Sequence, residues 1–159
     1  MKKLMMAGVL LTVSSGLAFS QTRREPRAWI CFFAGGGGIS GAGPAVTYLG
    51  MESTFRLYKG LGAGVESMPA WEFSDHGAVV SFSGNLSYHF RRAEKLEPFI
   101  TGGYSNLFRK GTRQDGGNFG GGFHYWFRDH FGLRAEFRNQ IFTGPARDFY
   151  EFRLGIAMR

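Results

Sequence analysis

From Phe131 the chain alternates between two kinds of side chain. Phe131, Leu133, Ala135 and Phe137 are apolar, and Gly132, Arg134, Glu136 and Arg138 are glycine or charged. A period of two sends successive side chains to opposite faces of a β-strand. One face of this strand is therefore greasy and the other carries three full charges. Two folds accommodate it. In a soluble sandwich or lipocalin-like barrel the apolar face is inside and the charges meet water. In a barrel surrounded by lipid the sense is reversed, and the charges are enclosed.

The pattern recurs along the chain. Turn signals at 35–43, 58–60, 72–77, 91–97, 109–117, 128–130 and 143–148 leave eight segments. They run over roughly 28–37, 44–57, 61–71, 77–90, 97–108, 117–127, 130–142 and 148–158, each near the length of a tilted membrane strand. Segment two sets Leu49, Met51, Phe55 and Leu57 against Glu52, Thr54 and Arg56. Segment four sets Val80, Phe82, Leu86, Tyr88 and Phe90 against Ser81, Ser83, Asn85, Ser87 and His89. Segment eight sets Tyr150, Phe152, Leu154, Ile156 and Met158 against Glu151, Arg153, Gly155 and Ala157. Segments three and six follow suit; segments one and five alternate less clearly.

The polar faces decide which fold is expected. They combine glycine, serine and threonine with charges of both signs: Glu52, Arg56, Glu66, Arg134, Glu136, Arg138, Glu151 and Arg153. Nothing limits side-chain size on a face open to water, but the inside of an eight-stranded barrel is only wide enough for its own side chains. Enclosed charges must pair, because a lone buried charge is costly. The eight residues are therefore expected to form an ionic network that plugs the lumen, with Arg134, Glu136 and Arg138 reaching Glu151 and Arg153 across the last strand pair. Aromatic residues gather at segment ends, as in interfacial girdles. One rim is expected to hold Tyr88, Phe90, Tyr125, Phe127 and Phe131, the other Trp71, Phe108, Phe142 and Tyr150. The fold class implied is all-β, an eight-stranded antiparallel up-and-down transmembrane β-barrel.

Residues 1–20 have two lysines, an apolar core from Leu4 to Val13 and a small-residue end at Ala18-Phe19-Ser20, the design of a secretory signal peptide. The expected organisation is a leader over 1–20, an N-terminal periplasmic tail over 21–27 and a barrel domain over 28–159. Loss of Lys2 and Lys3 with the leader takes 19 basic residues to 17 against 12 acids, a formal +5. No nucleic-acid module accompanies that excess, and an anionic membrane surface suits it better. In particular, "RKGTRQDGG" reads as the longest external loop. Its Arg109, Lys110 and Arg113 are candidates for contact with lipopolysaccharide phosphates. Cys31, the single cysteine, reads as a small apolar side chain of the first strand.

The hairpin "GGGFHYWFRDHFGLRAEFRNQ" (120–140) and the final strand resemble the closing strands of small bacterial outer-membrane β-barrels, the OmpA-like or porin-family eight-stranded domain. The resemblance implies an outer-membrane location in a Gram-negative cell and contact with lipids and lipopolysaccharide. It also implies assembly by the outer-membrane insertion machinery and a periplasmic N-terminus. Such barrels usually end on an aromatic residue, whereas this chain ends "FRLGIAMR". Some barrels of this size modify lipid A, and the deacylases place a histidine two residues before a serine. Here Gly103 stands where that histidine would precede Ser105. His89 and His124 fall on lumen faces, and His76 and His130 fall in turns beside aspartates. No spacing suggests a metal site. The expectation is a monomeric, non-enzymatic barrel with no catalytic, cofactor or metal residues and a structural or surface-interaction role. The alternatives are a lipid A-modifying enzyme or a soluble exported barrel that binds a hydrophobic ligand.

Overall fold

In a computed structural model, which describes residues 28–39, 46–72, 78–90, 95–109, 112–143 and 148–159, eight strands close into a single barrel in chain order. They are β1 (Ala28–Ile39), β2 (Val46–Tyr58), β3 (Leu61–Glu72), β4 (Ala78–His89), β5 (Leu96–Arg109), β6 (Thr112–Trp126), β7 (Phe131–Thr143) and β8 (Phe149–Met158). Every neighbouring pair is antiparallel, and β1 pairs with β8 to leave no open edge.

The register fixes the dimensions. A path of paired residues from Ala28 runs through Phe55, Ala63, Leu86, Gly102, Phe119, Asn139 and Tyr150, then returns to β1 at Gly38, ten residues beyond its start. With strands about 4.8 Å apart and a rise of about 3.3 Å per residue, this shear tilts the strands by about 40° and gives a backbone radius of about 8 Å. An arginine rooted on one wall therefore reaches the barrel axis.

The sense of the walls is apolar outside and polar inside. Leu49, Val65, Leu86, Phe119, Phe137 and Leu154 each leave more than half their surface exposed, while Glu52, Glu66, Glu136, Arg138, Glu151 and Arg153 are buried. A soluble barrel holding a hydrophobic ligand needs the opposite arrangement. Tyr58, Tyr88, Phe90, Tyr125, Phe127 and Phe131 are exposed around the end that carries the short turns. Phe108 and Tyr150 are exposed toward the opposite end.

Several sequence expectations require correction. The stretch 109–117 is not a long loop: β5 runs to Arg109, β6 starts at Thr112, and these two residues pair. Glycine and charge obscured a continuing ladder there. Glycines 35–38 belong to β1 rather than to a break. Phe142, expected on a rim, faces inward and packs against the lumen core. It lies four residues beyond Arg138, on the inward parity of β7. Of the other rim residues, Trp71 has its side chain outside the described residues. The leader over 1–20 and the tail over 21–27 lie outside them too, as does His76.

The β2–β3 hairpin shows how local sequence closes the barrel. Lys59 and Gly60 both take positive φ, 39° and 93°, the handedness that a two-residue turn needs to match strand twist. A side chain on Gly60 would also meet the carbonyl of His89, 2.6 Å from an added Cβ.

Candidate functional site

The lumen is filled in three layers. Nearest the turn end is an aromatic layer made of Trp29, Phe99, Trp126, His89 and His124. His89 stacks on Phe99 and on His124, with ring centroids 5.4 and 5.6 Å apart, and His124 stacks on Trp126 at 5.5 Å. Glu97 sits among the rings. Its Oε1 accepts from Arg56 Nη2 at 2.7 Å and lies 3.3 Å from His89 Nδ1, and its Oε2 accepts from Trp126 Nε1 at 2.9 Å. Arg159, at the end of the last strand, covers Trp126 with its guanidinium at 4.1 Å, and its Nε donates to the Asp129 carbonyl.

The middle layer is ionic. Arg134 bridges Glu52 (2.9 Å) and Glu136 (2.8 Å). Arg138 bridges Glu136 (2.6 Å) and Glu66 (2.8 Å). Arg153 bridges Glu66 (2.7 Å) and Glu151. The seven residues thus form one alternating network, Glu52–Arg134–Glu136–Arg138–Glu66–Arg153–Glu151, in which Arg138 also lies 3.8 Å from Glu52, and Glu151 is the carboxylate with a single guanidinium partner among the described residues. Arg56, the eighth candidate, stands apart with Glu97. That glutamate was read as part of a turn because the 91–97 stretch is dense in charge. Its place two residues before the inward Phe99 is the signal that would have found it.

The links of this chain do not run between the facing charges of β7 and β8. Glu136 pairs with Arg153 in register, and Arg138 with Glu151, yet the ion pairs run along β7, along β8 or across the lumen to β2 and β3. Neighbouring inward side chains leave the wall nearly parallel. In a tube of about 8 Å radius, long side chains from opposing walls meet near the axis more readily. Guanidiniums also lie over rings, Arg134 on Phe99 at 4.6 Å and Arg153 on Phe33 at 4.7 Å.

The third layer, toward the loop end, is Phe33, Tyr48, Met68, Ala70 and Phe149, with Val46 and Phe142 against it. These rings fit because the opposing strand offers glycine. The Phe33 ring lies over Gly50 and the Tyr48 ring over Gly35, each where a Cβ would stand. The β4–β5 wall carries small polar groups instead. Ser83 and Ser105 share a hydrogen bond of 2.8 Å, and Asn118 Nδ2 donates to Ser105 Oγ at 2.8 Å. Cys31 is buried in the same lumen.

Two arrangements bear on catalysis. Ser105, the serine nearest a deacylase pattern, points into the lumen rather than outward. Ser87 Oγ lies 3.0 Å from His89 Nε2, and Glu97 lies behind that ring, so hydroxyl, imidazole and carboxylate are in line. The carboxylate is already engaged by Arg56 and Trp126, and Ser87 is 7% exposed under the ring layer. Both ring nitrogens of His124 lack hydrogen-bond partners. Of the two turn histidines, His130 is described, and its Nδ1 lies 3.0 Å from the Arg159 carbonyl oxygen.

Of the proposed external contacts, Arg109 and Arg113 are exposed near the loop end, and Lys110 lies outside the described residues. Arg113 is not a loop residue: it sits on β6 with Nε 2.9 Å from Asp115 Oδ1, its guanidinium 6.0 Å from the Phe108 ring.

No family model and no curated relative matches the sequence. Solved structures do match the fold. The crystal structure of neisserial surface protein A aligns with a TM-score of 0.71 at 12% identity, over 84% of this chain and 97% of that one. The N-terminal β-barrel domain of Pseudomonas aeruginosa OprF aligns at 0.60 and 16% identity, over 85% and 100%. The outer membrane enzyme PagL aligns at 0.63 and 15% identity, over 81% and 99%. The chain has the fold of these small outer-membrane barrels.

Proposed function

We propose that the protein is a non-enzymatic barrel of the outer membrane in a Gram-negative cell, acting as a structural or surface-interaction element with a lumen plugged by ion pairs. The observation that carries this reading is the inversion of the walls: an apolar exterior on all eight strands around an interior chain of seven alternating charges. Lipid is the solvent that suits the exterior. A lumen of this width, filled from wall to axis, leaves no aqueous channel. The insertion machinery would assemble it, with the N-terminus and the segments 91–97 and 128–130 in the periplasm. The test is fractionation followed by planar-bilayer recording. The protein is expected in the outer-membrane fraction, with no stable openings of nanosiemens scale; such openings would overturn the plug.

The same reading places Arg109, Lys110 and Arg113 at the height of lipopolysaccharide phosphates, where each basic residue contributes about 1 kcal/mol near an anionic surface. The pairing of Arg113 with Asp115 reduces its share. Refolding of the wild type and an Arg109/Lys110/Arg113-to-serine variant, with and without lipopolysaccharide, tests it. Equal stabilisation of both removes the contact.

The Ser87–His89–Glu97 line favours a second reading, a lipid A-modifying enzyme. Labelling with a fluorophosphonate probe and mass spectrometry of lipid A from expressing cells decide between the two. Covalent labelling at Ser87 together with altered lipid A would replace the non-enzymatic reading.

A further inference from the structure

The ionic chain does not balance. Among the described residues it holds four carboxylates and three guanidiniums. In the second cluster the Arg56 guanidinium and the His89 ring both lie against Glu97 rather than against this network. One negative charge is therefore left in a narrow, dry interior, where an uncompensated ion is strongly disfavoured.

The number of guanidiniums facing each carboxylate shows where the excess lies. Both oxygens of Glu66 and of Glu136 are engaged by guanidinium groups. Glu52 Oε1 accepts from the Thr54 hydroxyl at 2.8 Å, and its Oε2 lies 2.9 Å from Arg134 and 3.8 Å from Arg138, so it too faces two guanidiniums. At the Glu151 terminus, Oε1 accepts from Gln140 Nε2 at 2.8 Å and from Arg153 Nη2, while Oε2 has no partner. Gln140 Oε1, on the amide held against that carboxylate, has no partner either. Both residues are 1% exposed. Two buried acceptors thus sit on side chains bonded to each other at the negative end of the chain. A buried acceptor without a donor costs free energy, and neither a further acceptor nor an apolar group would satisfy them.

The geometry points to a site for one small monovalent cation at Glu151 Oε2 and Gln140 Oε1. A carboxylate and an amide carbonyl are hard oxygen donors, the type that binds sodium or potassium rather than soft metals. One positive charge makes the chain neutral, whereas a divalent ion would leave it overcharged by one. The layer of Phe149 and Phe142 stands between this site and the loop end, so exchange is expected to be slow and the ion to be taken up during folding.

The test is to refold the full chain in detergent at one ionic strength, with sodium, potassium or N-methylglucamine as the only cation, and to measure thermal unfolding. A small alkali cation should raise the midpoint by about 3–6 °C over N-methylglucamine. Glu151→Gln makes the chain neutral while leaving Arg153 its two contacts with Glu66. This variant should lose the cation dependence and match the wild type in alkali salt. Crystals of the wild type grown in rubidium chloride should show anomalous density beside Glu151, a readout that survives if the variant does not fold. Equal midpoints in all three cations would overturn the proposal, as would an unchanged cation shift in Glu151→Gln. So would rubidium density confined to other positions. A wild type whose stability follows pH but no alkali cation would show that a proton supplies the charge, and the cation site would be discarded.

Discussion

At the residue scale, Glu66 is the member of the lumen that the fold can least do without. It sits at the crossing of two arginines, Arg138 and Arg153, and is 4% exposed. Neutralising it takes one carboxylate partner from each of two buried guanidiniums, and breaking a buried pair in this way costs about 3–5 kcal/mol. Glu66→Gln should therefore lower the urea midpoint in detergent far more than Glu94→Gln in the 91–97 turn region. Loss of heat-modifiable migration on gels would be the coarse sign of the same effect, and equal midpoints would show that Glu66 meets water. The inward direction of Glu66 was legible from parity alone, because Leu61, Ala63 and Val65 define the opposite face. Its partners were not. Parity gives direction but not reach, and reach across the lumen depends on the shear, which no local pattern encodes. Glu97 was missed for a related reason: a charged residue at a strand end looks the same as a charged residue in a turn.

At the scale of elements, the glycines determine which walls can approach the axis. The Phe33 ring occupies the space where a Cβ on Gly50 would project, one strand away. Gly50→Val should force that ring out of its place above Arg153, whose guanidinium lies 4.7 Å from it. Overpacking of a filled core costs about 1–3 kcal/mol. Gly84→Val, on the outward face where an added Cβ meets nothing within 4 Å, is the matched control and should be nearly neutral. Comparison of the two urea midpoints tests the assignment; equal losses would mean that Gly50 does not face a ring. Strand number and order could be read from turn spacing and alternation. The extents of β1 and β6 could not, since glycine-rich stretches such as 35–38 and 116–117 score as breaks in any local reading. Here they are ladder residues whose role is set by what stands opposite them. Phe142 shows the complementary error. Its aromatic ring near a strand end suggested a girdle, whereas counting by two from Arg138 places it inside.

At the scale of the whole molecule, the shear of ten ties each outward residue to a depth. With a tilt of about 40°, each step along a strand changes height by about 2.5 Å. Phe131 begins β7 beside the short turn, and Phe137, six residues on, lies about 15 Å higher, near the middle of an apolar band about 25 Å tall. Both are outward and exposed, at 42% and 53%. An arginine on the lipid face costs about 2–4 kcal/mol at midplane and about 0–1 kcal/mol at the interface. Phe137→Arg should therefore destabilise the barrel by about 1–4 kcal/mol more than Phe131→Arg when both are refolded into bilayers, because only the deeper residue must carry its charge through hydrocarbon. In detergent micelles, which deform around a charge, the gap should narrow. A soluble barrel would behave differently: its apolar faces would line a core, and both substitutions would be severe regardless of position. Equal losses at the two sites in bilayers would thus reject lipid as the solvent of the outer wall, and with it the inside-out arrangement on which the ionic lumen depends.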